Sequence, residues 1–191
     1  HVGRGFPSIL AGESDDLELP FKAKRVENVY RSGVGAELGY DRLAAYSDAL
    51  AHQNPALRFL EVGAGTGGAT RPILKCLTTQ GNGEISTPRF SHYAFTDISI
   101  GFFENAREMF KDIAGRMSFR ALNVEADLED QGLSGEQYDV ICAANVIHAT
   151  KSLDLTLTNM QKLHKPGGRP ILYEINNPGI LSTAFAFLLF P

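Results

Sequence analysis

The 191-residue sequence has little cysteine, no strong excess of charge of either sign and no hydrophobic run of membrane-spanning length. Its cysteines, Cys76 and Cys142, are far apart and show no metal-ligand spacing, so we expect buried free thiols in a reducing compartment and no metal site. A net charge of −4 gives no electrostatic reason to expect nucleic acid or an anionic membrane as a partner. Because a signal peptide and a spanning segment are both lacking, the expected location is the cytoplasm.

The sequence also lacks an initiator methionine, and it stops within the apolar run at residues 181–191. A free terminus does not normally expose that much apolar surface, so we expect a piece of a larger polypeptide. A chain of this length can form one hydrophobic core. We predict a lead-in with a helical segment at residues 1–40 and a folded core at residues 41–191.

Hydrophobic periodicity predicts helices that alternate with strands along most of the chain. The strands are expected at residues 59–62, 90–96, 117–122, 138–144 and 170–175. The helices are expected at residues 21–31, 41–53, 69–77, 99–113 and 152–164. This order predicts an α/β, Rossmann-like fold, in which a parallel sheet has helices on both faces. Ligands of such sheets bind beyond the carboxyl ends of the strands, where the strand order reverses.

A glycine-rich turn follows the first predicted strand, in the sequence LEVGAGTGGATRP at residues 60–72. Gly63, Gly65, Gly67 and Gly68 leave no side chain between backbone and ligand, and they tolerate positive φ. The next helix directs its unpaired N–H groups towards the same place. The turn therefore predicts a loop that binds a nucleotide cofactor.

Two classes of cofactor fit this loop, because the spacing of Gly63, Gly65 and Gly68 also satisfies the dinucleotide-binding pattern. Glu61 stands at the strand end, two residues before the first glycine, where a carboxylate would repel a pyrophosphate. S-Adenosylmethionine (SAM) carries an ammonium and a sulfonium, and it suits that carboxylate better. We therefore predict that SAM binds Glu61, Gly63, Gly65 and Gly67, with a nicotinamide dinucleotide as the alternative cofactor.

Polar residues follow the second and third predicted strands. Asp97, with Ile98 after it, stands where a carboxylate can accept hydrogen bonds from both ribose hydroxyls of an adenosine ligand. The alternative for Asp97 is a helix-capping role beside Ser99. Asn123 and Val124 stand where a side-chain amide and a backbone N–H can reach the edge of the adenine, and turn chemistry is the alternative there.

His148 follows the fourth predicted strand, and Glu174 closes the fifth. Strands joined by one crossover helix are usually neighbours, so we expect these side chains to meet at the carboxyl edge of the sheet. A carboxylate that accepts from one imidazole nitrogen fixes the tautomer and raises the basicity of the other nitrogen. The two residues are therefore predicted to be a catalytic pair with His148 as general base. The alternatives are a purely structural His–Glu pair and an exposed histidine that merely follows a strand.

Four segments carry a family resemblance: LEVGAGTGGATRP at 60–72, YAFTDIS at 93–99, NVIHAT at 145–150 and LHKPGG at 163–168. Together they resemble the C-methyltransferase domain of fungal highly reducing polyketide synthases, a class I SAM-dependent methyltransferase. In that family the histidine of the NVIHAT segment pairs with a glutamate on the next strand, which corresponds to His148 and Glu174. The family usually has Asp at the position of Asn123. It also continues its sheet beyond residue 191 with two further strands, so the resemblance implies a methyltransferase core that is incomplete at its C-terminal end.

The resemblance implies that SAM donates a methyl group to the α-carbon of a β-ketoacyl chain held on an acyl carrier protein. His148 would remove the α-proton, Glu174 would stabilise the resulting imidazolium, and Asn145 would help to hold the methionine end of SAM. The implied partners are the carrier protein and neighbouring synthase domains. Three alternatives stay open: a small-molecule O-methyltransferase, a non-catalytic scaffold domain and a nicotinamide-dependent reductase.

Overall fold

The computed structural model describes residues 36–79, 84 and 86–174. Residues 1–35 of the predicted lead-in, which include the predicted helix at 21–31, and the apolar run at 181–191 lie outside the described residues. Residues Leu38–Glu174 form one unit around a five-stranded sheet. The strands are β1 (Arg58–Val62), β2 (His92–Asp97), β3 (Met117–Ala121), β4 (Tyr138–Ala144) and β5 (His164–Tyr173). The helices are α1 (Ala36–Gln53), α2 (Thr70–Thr78), α3 (Phe103–Met109) and α4 (Leu153–Lys162).

The strand order is β3-β2-β1-β4-β5, and every pair of neighbouring strands is parallel. The chain first winds outwards from β1 to β3 and then returns to β4 on the other side, so the order reverses between β1 and β4. Thr70 of α2 contacts Glu61, and Phe103 of α3 packs on Phe95, the partner of Glu61 in β2. Met160 of α4 instead packs with Leu60, so α2 and α3 lie on one face of the sheet and α4 on the other. The prediction of a Rossmann-like parallel sheet with helices on both faces is confirmed.

Alternate residues of β1 divide between two cores, as the twofold repeat of a strand requires. Leu60 and Val62 pack in the core that contains Met160 of α4. On the opposite side, Phe59 stacks on Tyr93 with ring centroids 5.8 Å apart. Both faces of β1 are thus packed against other residues, and this packing fixes the position of the strand end from which the glycine-rich turn begins.

Helix α1 begins at Ala36, five residues before the predicted start, and it therefore includes Gly39. A Cβ atom at this glycine would lie within 2.2–2.7 Å of the Tyr173 ring. Glycine here permits close packing of a helix against a side chain and does not mark a loop. The predicted domain boundary at residue 40 falls within this helix, and that division of the chain stays a prediction.

The predicted helix at residues 99–113 is shorter and interrupted. A 3₁₀ turn at Ile100–Phe102 precedes α3, and a second 3₁₀ segment at Lys111–Arg116 follows it. Phe103, Ala106 and Phe110 of this region are buried. The Ser99 side chain makes no capping hydrogen bond. The Asp97 carboxylate accepts from the Ser99 N–H at 2.8 Å and forms a turn at this point.

Strand β5 begins at His164, six residues earlier than predicted, so the KPGG sequence that was expected to end a helix lies within a strand. The pairing register between β4 and β5 shifts between Tyr138 and Val140, and Gly167 has φ of +79°. A bulge accommodates such a glycine in a strand. The glycine at position 167 therefore marks an irregular point within β5 and does not mark the end of a helix.

Cys76 and Cys142 are both free thiols, as predicted. Cys142 is buried in β4, whereas Cys76 on α2 is partly exposed, so the expectation of burial is confirmed for Cys142 alone. No helix within the described ranges combines the length and the apolar character that a membrane-spanning helix needs.

Candidate active site

The glycine-rich turn after β1 takes the conformation that its sequence predicts. Gly63, Gly65 and Gly67 have φ of +64°, +53° and +78°, a region that favours glycine. A Cβ atom at Gly63 would lie 2.4 Å from a methyl group of Val146, so the turn also packs directly against the segment that follows β4. The Ala64 N–H donates to the Thr96 carbonyl at 2.8 Å, which ties the turn to β2.

Asp97 is buried at the carboxyl end of β2, 8% exposed. Its Oδ2 accepts a hydrogen bond from the Gly65 N–H at 2.9 Å, and its Oδ1 accepts from the Ser99 N–H at 2.8 Å. The carboxylate therefore fixes the glycine-rich turn as well as the turn at Ser99. Ile98 follows it and is exposed. The structure places both residues beside the turn, and their contact with a ribose or an adenine stays a prediction.

Glu61 is placed differently from what the sequence argument assumed. Only 2% of it is exposed, and its Oε2 accepts hydrogen bonds from Thr70 Oγ1 at 2.6 Å and from the Tyr93 hydroxyl at 2.7 Å. Burial raises the pKa of this carboxyl to about 7, with hydrogen bonds from Thr70 and Tyr93 opposing the shift. The alternation along β1 directs Glu61 to the side of the sheet on which Phe59 packs, and the contact of Glu61 with SAM stays a prediction.

Asn123 and Val124 follow β3 within a closely hydrogen-bonded turn. Asn123 Oδ1 accepts from the Glu125 N–H at 3.0 Å, and the Asn123 N–H donates to Gln131 Oε1 at 2.8 Å. Val124 is buried, and its carbonyl accepts from Asn159 Nδ2 at 2.9 Å. Turn chemistry is thus present at Asn123, and contact of either residue with adenine stays a prediction.

Asn145 directly follows β4 and has φ of +57°, a conformation that asparagine adopts more readily than most residues. Its N–H donates to the Tyr173 carbonyl at 2.7 Å, and its Nδ2 donates to the Tyr40 hydroxyl at 3.5 Å. Its Oδ1 is buried and accepts no hydrogen bond from the described residues. An acceptor in this state is available to an N–H donor of a ligand.

His148 and Glu174 meet as predicted, with 2.6 Å between His148 Nδ1 and Glu174 Oε2. The side chains are 27% and 23% exposed. Glu174 Oε1 also accepts from the N–H groups of Val146 at 3.0 Å and Ile147 at 2.8 Å. One carboxylate therefore orients the imidazole and the backbone turn that carries it. The predicted pairing is confirmed, whereas the catalytic role of the pair stays a prediction.

The sequence analysis missed Tyr40. Its ring is 3.4–3.5 Å from the position that a Cβ atom at Gly68 would take, and it lies edge-on to Tyr173 with centroids 5.8 Å apart. Its hydroxyl accepts from Asn145, which is 105 residues away in the chain. No local pattern signals such a contact, because it depends on how α1 packs against the ends of β4 and β5.

Residues 60–169 match a family described as a methyltransferase domain, a span of more than half of the chain. The chain belongs to this methyltransferase family. It is 69% identical over 193 residues to highly reducing polyketide synthase 40 of Fusarium mangiferae. It is 50% identical over 191 residues to highly reducing polyketide synthase NEC1 of Pyricularia oryzae. Each match covers 100% of this chain but only 7% of the relative.

Solved methyltransferase structures share this fold. The trans-methyltransferase CalH, solved as a complex with SAH, is 31% identical with a TM-score of 0.85, over 100% of this chain and 50% of that one. The CMeT domain of the citrinin polyketide synthase is 27% identical with a TM-score of 0.73, over 90% and 45% of the two chains. These likenesses confirm the predicted class I methyltransferase fold and the resemblance to C-methyltransferase domains of polyketide synthases.

The residues at the sheet edge fit SAM. The positive-φ glycines bring bare backbone to the ligand side of β1, and Asp97 supplies a carboxylate at the end of β2. The buried Oδ1 of Asn145 is an acceptor suited to an ammonium group. Together with the family and the fold, this arrangement confirms SAM as the predicted cofactor.

Proposed function

We propose that this chain transfers the methyl group of SAM to the α-carbon of a β-ketoacyl chain on an acyl carrier protein, with neighbouring synthase domains as further partners. The contact of 2.6 Å between His148 Nδ1 and Glu174 Oε2 carries the proposal, because it builds a general base at the carboxyl edge of the sheet. A carbon acceptor is supported by the CurJ carbon methyltransferase, which is 34% identical with a TM-score of 0.74 over 89% of this chain and 44% of that one.

The cofactor is held by residues on both sides of the point where the strand order reverses. The glycine-rich turn and Asp97 lie on the β1 and β2 side, and Asn145 lies on the β4 side. Ile98, Asn123 and Val124 are assigned to the adenine end and Asn145 to the methionine end. When bound, SAM supplies an electrophilic methyl group on a sulfonium centre.

His148 removes the α-proton of the acyl chain, which the adjacent ketone and thioester acidify. Because Nδ1 is engaged by Glu174, the base is Nε2, and the imidazolium that forms is stabilised by the Glu174 carboxylate. The resulting carbanion is the nucleophile that methylation of carbon requires. General base catalysis contributes about 10²–10⁴-fold, and the remaining acceleration comes from holding the reactants in line.

The test is His148→Ala in the full-length protein. We expect methylation of a β-ketoacyl thioester to fall by at least about 10²-fold, while the Kd for SAM stays within about threefold of the unsubstituted protein. His52→Ala is the matched control, because His52 lies on the surface of α1 and contacts Asp48 at 3.5 Å. Retention of the full methylation rate in the His148 variant removes this residue from the mechanism.

Acceptor and ligand assays separate the proposal from its alternatives. Methylation of hydroxylated small molecules in preference to acyl thioesters indicates an O-methyltransferase. Binding of SAM without transfer to either acceptor indicates a scaffold domain. Calorimetric titration with NADPH, run beside the titration with SAM, tests the reductase alternative.

A further inference from the structure

The segment from Asn145 to Ser152 carries His148 and contains a single 3₁₀ turn, Ile147–Ala149. The turn is held internally, because the Ala149 N–H donates to the Val146 carbonyl at 3.0 Å and Thr150 Oγ1 donates to the Ile147 carbonyl at 2.7 Å. A turn closed in this way moves as one piece. The position of His148 therefore depends on how the two ends of the segment are attached to the rest of the protein.

A different carboxylate holds each end of the segment. Glu174 accepts from the backbone at the start, as described above. At the other end, Glu125 Oε1 accepts from the Lys151 N–H at 2.8 Å and from the Ser152 N–H at 2.9 Å. Glu125 lies 26 residues before Lys151 and follows β3, the strand at the far edge of the sheet. The contact thus connects the turn after β3, which contains Asn123 and Val124, with the segment that carries His148.

The backbone around Glu125 is itself fixed. Asn159 of α4 donates from Nδ2 to the carbonyls on both sides of Glu125, at 2.9 Å to Val124 and 3.1 Å to Ala126. The Glu125 N–H donates to Asn123 Oδ1 at 3.0 Å. A carboxylate on such a backbone is an immobile acceptor, and its two charge-assisted hydrogen bonds go to consecutive N–H groups, which fixes the orientation of the peptide between them.

We propose that Glu125 is a positioning residue for His148, an inference that rests on the proposed function. Glu174 alone would leave the closed turn able to pivot about its first residues. Glu125 prevents this motion by holding the last residues of the segment. Displacements well below 1 Å are costly in a site that must align a base with a proton, and a 1 Å error can cost about 10²-fold in rate.

Helix α4 does not depend on Glu125 for its start. Ser152 caps this helix through its side chain, which accepts from the Leu155 N–H at 3.3 Å, and its carbonyl accepts from the Thr156 N–H at 3.0 Å. Removal of the Glu125 carboxylate should therefore loosen the segment ahead of the helix and leave the helix formed. This difference separates positioning of His148 from general support of the fold.

The experiment compares Glu125→Ala, Glu125→Gln and Glu125→Asp in the full-length protein, with Glu129→Ala as control. Glu129 lies between β3 and β4, as Glu125 does, and its side chain is exposed. The measurements are the single-turnover rate of methyl transfer at saturating SAM and β-ketoacyl thioester, and the Kd for SAM by calorimetry. We expect the alanine variant to lose about tenfold in rate at an unchanged Kd. The glutamine variant retains an acceptor oxygen and should recover most of the rate, while the shorter aspartate should not.

Glu125→Ala at the rate of the control overturns the proposal. A weaker Kd with a normal rate at saturation also overturns it, because Glu125 would then serve the cofactor site. If the alanine variant fails to fold, equal rates for the Gln, Asp and unsubstituted proteins overturn the proposal, and a low rate for Asp with a normal rate for Gln supports it. Failure of the proposed function is seen separately, as full activity of His148→Ala.

Discussion

The two halves of the carboxyl edge are built by different means. On the β1 and β2 side, glycines with positive φ shape the turn, and the carbonyl of Thr96 and the carboxylate of Asp97 hold it. On the β4 and β5 side, the segment of His148 is held by the carboxylates of Glu174 and Glu125. Backbone conformation and the single carboxylate of Asp97 define the cofactor half, whereas two carboxylates that follow distant strands define the half that holds the base. The second half should therefore depend more strongly on side-chain charge than the first.

Glu174 provides the most severe test of this difference. Replacement by alanine removes the acceptor for two backbone N–H groups and for the imidazole together. We expect the methylation rate to fall by about 10²–10³-fold with little change in the Kd for SAM. Single-turnover kinetics and calorimetry measure the two effects separately.

Glu174→Gln separates the two duties of this residue. An amide oxygen can still accept from Val146 and Ile147, so the turn should be retained, but the negative charge that stabilises an imidazolium is lost. The rate should lie between those of the alanine variant and the unsubstituted protein, and the pH–rate profile should change. If the alanine and glutamine variants both keep the full rate, carboxylates do not define this half of the site.

Gly63 lies where the two halves touch, and its substitution should have the next largest effect. Gly63→Ala places a methyl group 2.4 Å from Val146 in a residue with φ of +64°. We expect the free energy of unfolding to decrease by about 2–3 kcal/mol, from backbone strain and overpacking together. Denaturant titration measures this change. Gly115→Ala is the control, because no atom lies within 4 Å of a Cβ at Gly115.

A double-mutant cycle identifies the cause of that loss. Val146→Ala removes the methyl groups that a Cβ at Gly63 would meet, so Gly63→Ala should cost less in the Val146→Ala background than alone. The part of the loss that remains in the double variant measures the strain of positive φ. Additive effects of the two substitutions would show that the turn and the His148 segment are independent.

The comparison also explains what could be predicted from the sequence. The glycine turn was predictable because residues adjacent in the chain determine it. The pairing of His148 with Glu174 was predictable because parallel strands joined by one helix are neighbours, so topology alone places their ends together. Glu125 could not be found in this way. Its hydrogen bonds to the N–H groups of Lys151 and Ser152 connect two loops, and no local pattern specifies the course of either loop.

Glu61 shows what local reasoning leaves out. The sequence places a carboxylate two residues before the first glycine, and the structure adds that this carboxylate is buried and accepts hydrogen bonds from Thr70 and Tyr93. The start of α1 was missed for a related reason, since Gly39 is required by contact with Tyr173 and not by a turn. In both cases the residue type suggests a local role, but the structure shows that the residue also makes a contact with a distant part of the chain.

Glu61 also gives the smallest of the expected effects, and it tests whether charge matters on the glycine side. Its pKa in the folded chain, about 7, exceeds the ordinary value of 4.5. A carboxyl of this kind stabilises the fold fully below pH 4.5, and that stabilisation is lost as the pH rises towards 7. Between pH 5 and pH 7, the free energy of unfolding should therefore fall by about 2 kcal/mol more than in Glu61→Gln. Denaturant titrations at both pH values measure this difference, and Glu129→Gln on the surface should not show it. Parallel pH dependence in all three proteins would mean that Glu61, the one carboxyl of β1, does not titrate in this range, and that its charge contributes nothing to the stability of the glycine side.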